Sequence, residues 1–189
     1  MTPEPAKAWR RARFLTDGAP SPRADVFHLH CPGARDLPIA HLTALALLPI
    51  HDWNSSLLER AGDRPTPPWD RTSACVFAID PFRRIRDLLL ELQQNDYRWV
   101  TNFPSTEAID GEMRATLGDL GFGLQKELRF VEEAVALGLA VAAFATSGDS
   151  AALMIERGAA ALVTPDASLI DLSRLPAVVP VIELEAPHG

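Results

Sequence analysis

The chain has 189 residues, of which 47% are hydrophobic and 23% charged, a balance typical of one globular domain with a buried core. Its net charge of −7 argues against a nucleic-acid partner, because no excess of cations is available to neutralise phosphates. Cys31 and Cys75 are too few for a disulfide framework and are typical of small core residues in a reducing compartment. Arg10-Arg11 is not followed by the apolar run of an export signal, and charges interrupt the apolar stretch 128–145. We therefore predict a cytoplasmic protein that does not bind or span membranes.

The first part of the chain has an irregular pattern. Pro5 to Leu15 predicts a helix, and Asp25 to His30 predicts a short strand. The apolar run from Leu37 to Pro49 has no clear period, so it is compatible with either a helix or a buried strand. Two further segments are predicted here: a helix capped by Asp52 or Asn54 that ends near Arg60, and a proline-rich loop over 62–69.

From residue 74 onward, predicted strands and helices alternate. The predicted strands are Ala74–Ile79, Tyr97–Thr101, Leu139–Ala145, Ala160–Thr164 and Val178–Leu184. The predicted helices are Phe82–Gln94, Glu107–Leu117, Leu124–Leu137, one capped by Asp149 or Ser150 that ends at Arg157, and a weak helix over Ser168–Arg174. This alternation predicts an α/β domain with a mainly parallel sheet over residues 1–189. We count about six strands, fewer than in a closed TIM barrel, so the predicted barrel is incomplete and its sheet edges need a cover.

Polar residues follow the predicted strands at the ends where α/β proteins build their sites. The sequence Asp80-Pro81-Phe82-Arg83 follows one strand, and Asn102-Phe103-Pro104 follows the next. The segment from Ile109 to Arg114 comes soon afterwards and includes Asp110. Thr146 and Thr164 end two later strands, and other polar residues at such ends are His30, Cys31, Ser147 and Asp166.

These motifs, together with Gly121-Phe122-Gly123, Glu127, Met154 and Gly158-Ala159, resemble the phosphoenolpyruvate hydrolase-like family of TIM-barrel proteins. The resemblance is best over residues 72–165. It implies a parallel (β/α) barrel, with metal-assisted hydrolysis or lyase chemistry on a small phospho- or oxo-acid. Carried onto this sequence, it makes Asp80, Asn102 and Asp110 the catalytic candidates. Arg83, Arg114, Thr146 and Thr164 become the candidates for binding an anionic acid. A divalent metal such as Mg²⁺ is the cofactor that this chemistry suggests, and a homo-oligomer is one way to cover the sheet edges.

The chain also departs from the pattern of the family it resembles. Cys31-Pro32-Gly33-Ala34-Arg35 replaces an Asn-Ser-Gly stretch, and Pro165-Asp166-Ala167-Ser168-Leu169 replaces a stretch that contains His, Gly and Thr. From the resemblance we expect the chain to begin one unit later than other members and to end early. A shortened, non-catalytic member that acts as a binding or assembly partner is therefore the alternative hypothesis, and an incomplete gene product is a third.

Each candidate residue also has a purely structural interpretation. Asp80 before Pro81 can cap a helix, Asn102 can stabilise a turn, and Asp110-Gly111 is a common turn dipeptide. Arginines such as Arg83 and Arg114 often belong to solvated ion pairs that contribute little to stability. His28 and His30 alternate along a strand, as metal ligands can, but no third ligand is recognisable, so we interpret both as structural.

Overall fold

Seven parallel strands form a closed barrel in chain order, and strand β1 also pairs with strand β7. The computed structural model describes residues 10–15, 26–34, 39–48, 51–61, 71–176 and 178–185. The strands are β1 (Arg11–Leu15), β2 (Phe27–His30), β3 (Thr72–Cys75), β4 (Trp99–Thr101), β5 (Ala140–Phe144), β6 (Ala161–Thr164) and β7 (Val181–Leu184). This arrangement confirms the predicted α/β parallel-barrel fold.

Six helices connect the strands and cover the barrel in the described part of the chain. They are α1 (Ile39–Leu47), α2 (Trp53–Ala61), α3 (Ile85–Gln94), α4 (Gly111–Asp119), α5 (Leu124–Ala136) and α6 (Gly148–Glu156). The ambiguous run 37–49 is therefore helical over Ile39–Leu47. The weak helix predicted over 168–174 is instead two short 3-10 turns, Ala167–Leu169 and Leu172–Arg174. The predicted proline-rich loop 62–69 lies outside the described residues.

The predicted count of about six strands is wrong, because Arg11–Leu15 is a strand and not the end of a helix. Ala12 is opposite Phe27 of β2 on one side and opposite Leu184 of β7 on the other. These partners are distant in sequence, so the local pattern of five residues could not reveal them. With β1 in place the barrel closes, and the sheet edges expected of an incomplete barrel are paired.

The start of helix α3 also differs from the prediction. Asp80 does not cap a helix that begins at Phe82, because the helix begins at Ile85 with Arg84 at the cap position. Asp80 Oδ1 instead accepts a hydrogen bond from Phe82 N at 2.8 Å, which closes a tight turn ahead of the helix. Phe82 is consequently not a core residue of α3, and 91% of its surface is exposed.

Two apolar clusters lie on the two faces of the barrel wall, as the alternation of side chains along a strand requires. The cluster between strands and helices includes Val100 and Val141 of the strands with Leu92 and Val131 of the helices. The cluster inside the barrel includes Phe27, Leu29, Cys75, Trp99, Ala142, Phe144, Val163 and Ile182. Cys31 and Cys75 are both buried and free, as predicted. The barrel interior is therefore filled by side chains.

Aromatic rings continue this packing to the carboxyl ends of the strands. Phe103 follows β4 and lies 4.9 Å from the ring of Phe14 and 5.2 Å from that of Phe144. Phe77 and Trp53 belong to the same cluster and extend it toward helix α1. A group bound at the carboxyl ends of the strands therefore meets a layer of apolar side chains, and not an open channel along the barrel axis.

Candidate functional site

Asp80 is buried beyond the end of β3, with 7% of its surface exposed. Its Oδ1 accepts the hydrogen bond from Phe82 N, and its Oδ2 accepts one from Asn54 Nδ2 at 2.9 Å. Asn54 is fully buried and also binds the backbone of Phe77, accepting from Phe77 N at 3.0 Å and donating to Phe77 O at 3.1 Å. Asp80 is thus part of a network that fixes the chain between Phe77 and Phe82.

Asn102 is buried just after β4 in a second, separate network. Its Oδ1 accepts from Phe144 N at 2.7 Å, and its Nδ2 donates to Phe144 O at 3.2 Å and to Glu127 Oε2. Asp80 and Asn102 lie at the same end of the barrel, as predicted for adjacent parallel strands. Among the described residues, however, the two side chains share no hydrogen-bond partner.

Glu127 is the centre of this second network, and only 1% of its surface is exposed. Ser105 Oγ donates to its Oε2 at 2.7 Å, while Thr106 N and Oγ1 donate to its Oε1 at 2.9 and 2.8 Å. Burial raises the pKa of Glu127, and the hydrogen bonds from Ser105, Asn102 and Thr106 oppose that rise. The carboxyl group therefore anchors the segment 102–106 to helix α5.

The predicted anion donor Arg114 forms an ion pair with the buried carboxylate of Glu107. The side chain of Glu107 is 1% exposed and that of Arg114 is 44% exposed. Thr146, another predicted contact of the substrate, donates from its Oγ1 to Glu107 O at 2.9 Å. Arg114 and Thr146 are thus brought together by Glu107. Sequence analysis did not identify Glu107 as a candidate site residue.

Arg83 has internal partners as well. Its guanidinium donates to Ser55 Oγ at 2.5 Å and lies 3.6 Å from Asp52 Oδ2. Asp52 caps helix α2, as predicted, by accepting from Ser55 N at 2.8 Å. Burial tends to raise the pKa of Asp52, but the hydrogen bonds from Ser55 and the charge of Arg83 lower it overall.

The two remaining candidates lie apart from these networks. Asp110 is exposed at the start of helix α4, where its side chain makes no capping hydrogen bond. Thr164 is fully buried at the end of β6, and its Oγ1 donates to Asp166 O at 3.1 Å. The catalytic and substrate-binding roles of all seven candidates remain predictions. The structure shows which of them are held by other residues of the chain.

A cleft of about 740 Å³ opens beyond the carboxyl end of β3. Helices α1 and α4 form its sides, and the turn from Phe77 to Phe82 forms its floor and one edge. Most of its lining is apolar, whereas its polar side chains are His51, Asp52 and Asp80. The apolar lining includes Leu47, Leu48, Trp53, Phe77, Ile79, Phe82, Met113, Leu117, Leu120 and Phe122. A cleft of this size and lining suits an apolar group better than a small multiply charged acid.

Lys126 lies behind the cleft and donates to two backbone carbonyls, Ile79 O at 3.2 Å and Asp80 O at 3.4 Å. Its ammonium group is also 4.8 Å from the centre of the Phe122 ring, within range of a cation–π interaction. Burial lowers the pKa of Lys126, and the negative charge of Asp80 partly offsets this effect. Lys126 therefore holds the turn that carries Asp80.

Within the described ranges, no group of three or more His, Cys, Asp and Glu side chains is arranged to hold a metal ion. Asp80 also has both carboxylate oxygens engaged by Asn54 and Phe82. The described residues thus do not fit a site for the divalent ion that the sequence suggested. None of the described helices combines the length and the apolar character needed to cross a membrane.

Sequence comparison identifies the relatives of this barrel. The profile described as phosphoenolpyruvate hydrolase-like matches residues 39–168, a range that includes the whole cleft and both buried networks. The chain belongs to the phosphoenolpyruvate hydrolase-like family. This match confirms the resemblance carried by the motifs around Asp80, Asn102 and Gly121.

The chain is also similar to individual proteins of a bacterium and of tomato. The chain is 38% identical over 151 residues to the uncharacterized protein y4oT of Sinorhizobium fredii, covering 78% of this chain and 76% of that relative. It is 35% identical over 118 residues to the tomato ToMV resistance protein Tm-1(GCR237) and to the ToMV susceptible protein tm-1(GCR26). That match covers 62% of this chain but 16% of each tomato protein.

Proposed function

We propose that this member of the phosphoenolpyruvate hydrolase-like family acts by binding, and that the cleft receives an apolar group of a partner. One observation carries the proposal: the predicted catalytic side chains Asp80 and Asn102 hold backbone segments in place, while the adjacent cleft is lined mainly by apolar side chains. An enzyme site for a small acid requires donors directed at the substrate.

The electrostatics of the cleft support the same proposal. Its described lining contains the two carboxylates Asp52 and Asp80 and no Lys or Arg side chain. The nearest predicted anion donor, Arg83, pairs with Asp52 and Ser55. A phospho- or oxo-acid would therefore meet negative charge, and no Lys or Arg side chain, in the described lining of the cleft.

Hydrolysis or lyase chemistry is the second candidate, because Asp80 and His51 line the same cleft. A carboxylate and an imidazole that face one cavity are a combination that can transfer protons. In this alternative Asp80 is the acid or base, and His51 is its partner in proton transfer. The two candidates predict different results for the same variants.

A binding assay and a turnover assay together test the proposal. We expect the apolar dye anilinonaphthalene sulfonate to bind dilute protein, and Met113→Ser to weaken that binding because Met113 lines the cleft and is 47% exposed. The matched control is Leu169→Ser, since Leu169 is 45% exposed but does not line the cleft. Equal dye binding by both variants would contradict the proposal.

In the turnover assay, we expect wild-type protein and Asp80→Asn to give the same background rate. The substrates are phosphoenolpyruvate, phosphonopyruvate and oxaloacetate, each tested with and without Mg²⁺. A rate above background that Asp80→Asn abolishes, while the thermal midpoint stays unchanged, would support the enzymatic candidate instead.

A further inference from the structure

The edge of the cleft carries an unusual concentration of exposed apolar side chains. Phe82 is 91% exposed, Leu120 65%, Leu48 49% and Met113 47%, and all four line the cleft. Single exposed apolar residues are common on protein surfaces, but a contiguous group of them marks an interaction site. This edge is therefore a surface that the chain keeps for contact with another molecule.

Helix α4 leads to the same conclusion from a different observation. None of its residues from Gly111 to Asp119 is buried, although Met113 and Leu117 face the cleft. A helix of nine residues is marginal in water and depends on packing of its apolar face. Packing against a molecule seated in the cleft would supply the contacts that the barrel itself does not give to α4.

The shape of this surface suggests which molecule that is. Phe82 projects into solvent at one edge of the cleft, and the apolar hollow lies directly beside it. A projecting ring and a hollow on the same face make the surface complementary to itself. Such a surface pairs about a two-fold axis, so that each subunit inserts its ring into the hollow of the other.

The charges at the two edges of the cleft are complementary as well. Arg84 and Arg86 are exposed beside Phe82, only partly offset by Asp87. Helix α4, which lines the same cleft, and the residue before it carry exposed acidic side chains, namely Asp110, Glu112 and Asp119. The cations Arg83 and Arg114 already have partners inside the fold, so these remaining charges are available for a second molecule. A two-fold axis would place the basic edge of one subunit against the acidic edge of the other.

We propose that the cleft is filled by Phe82 of a second copy of this chain, in a symmetric dimer with helix α4 at the interface. This inference rests on the proposed binding role and names the partner of the same cleft. The dimer covers the four exposed apolar side chains and gives α4 the packing that it lacks in one subunit.

Sedimentation velocity over a series of protein concentrations tests the dimer. We expect wild-type protein to shift from monomer to dimer with rising concentration, and Phe82→Ala to raise the dissociation constant by about tenfold or more. Phe82 is 91% exposed, so its truncation should leave the fold intact. Val178→Ala is the control, because Val178 is 69% exposed but lies away from the cleft. Wild-type protein that stays monomeric up to its solubility limit would overturn the inference.

Charge reversal tests the two-fold arrangement directly. Arg84→Glu and Glu112→Arg should each weaken the dimer, whereas the double variant should restore it to near the wild-type dissociation constant. Single variants without effect, or a double variant weaker than both, would contradict the pairing of the two edges. The dye assay separates this failure from failure of the binding role. If the protein is monomeric but binds the dye in a Met113-dependent manner, the dimer is refuted and the proposed binding role is retained.

Discussion

Asn102 binds both backbone polar groups of Phe144, since its Oδ1 accepts from Phe144 N and its Nδ2 donates to Phe144 O. Asn54 holds Phe77 in the same way. In both cases the second amide hydrogen goes to a buried carboxylate, Glu127 or Asp80. An amide side chain thus binds the backbone in place of a strand neighbour at the last residue of β5 and just beyond the end of β3.

Replacing Asn102 should therefore lower the free energy of unfolding more than it changes the binding of another molecule. Asn102→Ala removes the side-chain partner of Phe144 N and O and one of the four hydrogen bonds to Glu127 in a buried site, at a cost of about 3 kcal/mol. Urea unfolding followed by circular dichroism measures this loss. Asn95→Ala is the control, because Asn95 donates an exposed hydrogen bond and its loss should cost under about 1 kcal/mol. Similar costs for the two variants would contradict the structural role of Asn102.

The raised pKa of Glu127 predicts the sign of a pH effect on stability. A carboxyl group with a raised pKa in the folded state holds its proton more tightly there than in the unfolded chain. Its contribution is fully present below the ordinary glutamate pKa of about 4.3 and is lost as pH rises through the folded pKa. The advantage of wild-type protein over Glu127→Gln should therefore shrink as pH rises through this window. Free energies of unfolding of both proteins across that range test the sign, and an advantage that grows with pH would contradict it.

Arg114 should matter for stability because its partner is buried. Arg114→Ala leaves the carboxylate of Glu107 without its cation, which should cost about 2 kcal/mol, less than for a fully buried pair because Arg114 is 44% exposed. The pair of Arg157 and Glu132 is the control, since both of its side chains are partly exposed and Arg157→Ala should cost under about 1 kcal/mol. Thermal or urea unfolding compares the two, and an equal loss would argue against a special role for Glu107.

The two cysteines should be inert in the folded protein. Cys31 and Cys75 are buried, and burial together with the neighbouring Cys31 thiol raises the pKa of Cys75 well above its ordinary value. The thiolate of Cys75 is therefore scarce, and burial makes the sulfur atoms of both residues inaccessible. A thiol-reactive dye should label neither residue in buffer and both in denaturant. Rapid labelling of the native protein would show that the barrel interior opens to solvent.

Sequence patterns predicted much of this fold because the spacing of apolar residues in its helices and later strands matches the structure that each segment forms. The buried positions Leu88, Leu89 and Leu92 of α3 follow the helical period that identified them. Strand β1 was missed because five residues carry little periodicity, and only pairing with β2 and β7 makes them a strand.

The candidate site was harder to predict than the fold. The sequence indicated that Asp80 and Asn102 follow adjacent strands, and both do lie at the carboxyl ends of the barrel. It could not show that their partners are Asn54 and Glu127, since these contacts join residues 26 and 25 positions apart. The apolar cleft was missed for the same reason, because its lining comes from several segments that folding brings together.

Helix α4 contributes no buried side chain to the barrel, so its sequence, apart from Arg114 with its partner Glu107, is free to change without unfolding the domain. Recognition of a partner can therefore change through substitutions in helix α4 alone. The side-chain amides of Asn54 and Asn102 would still hold the backbone at the strand ends and preserve the barrel. The same separation offers a practical route to redesign, in which new recognition is selected on α4 and the remaining barrel is left untouched.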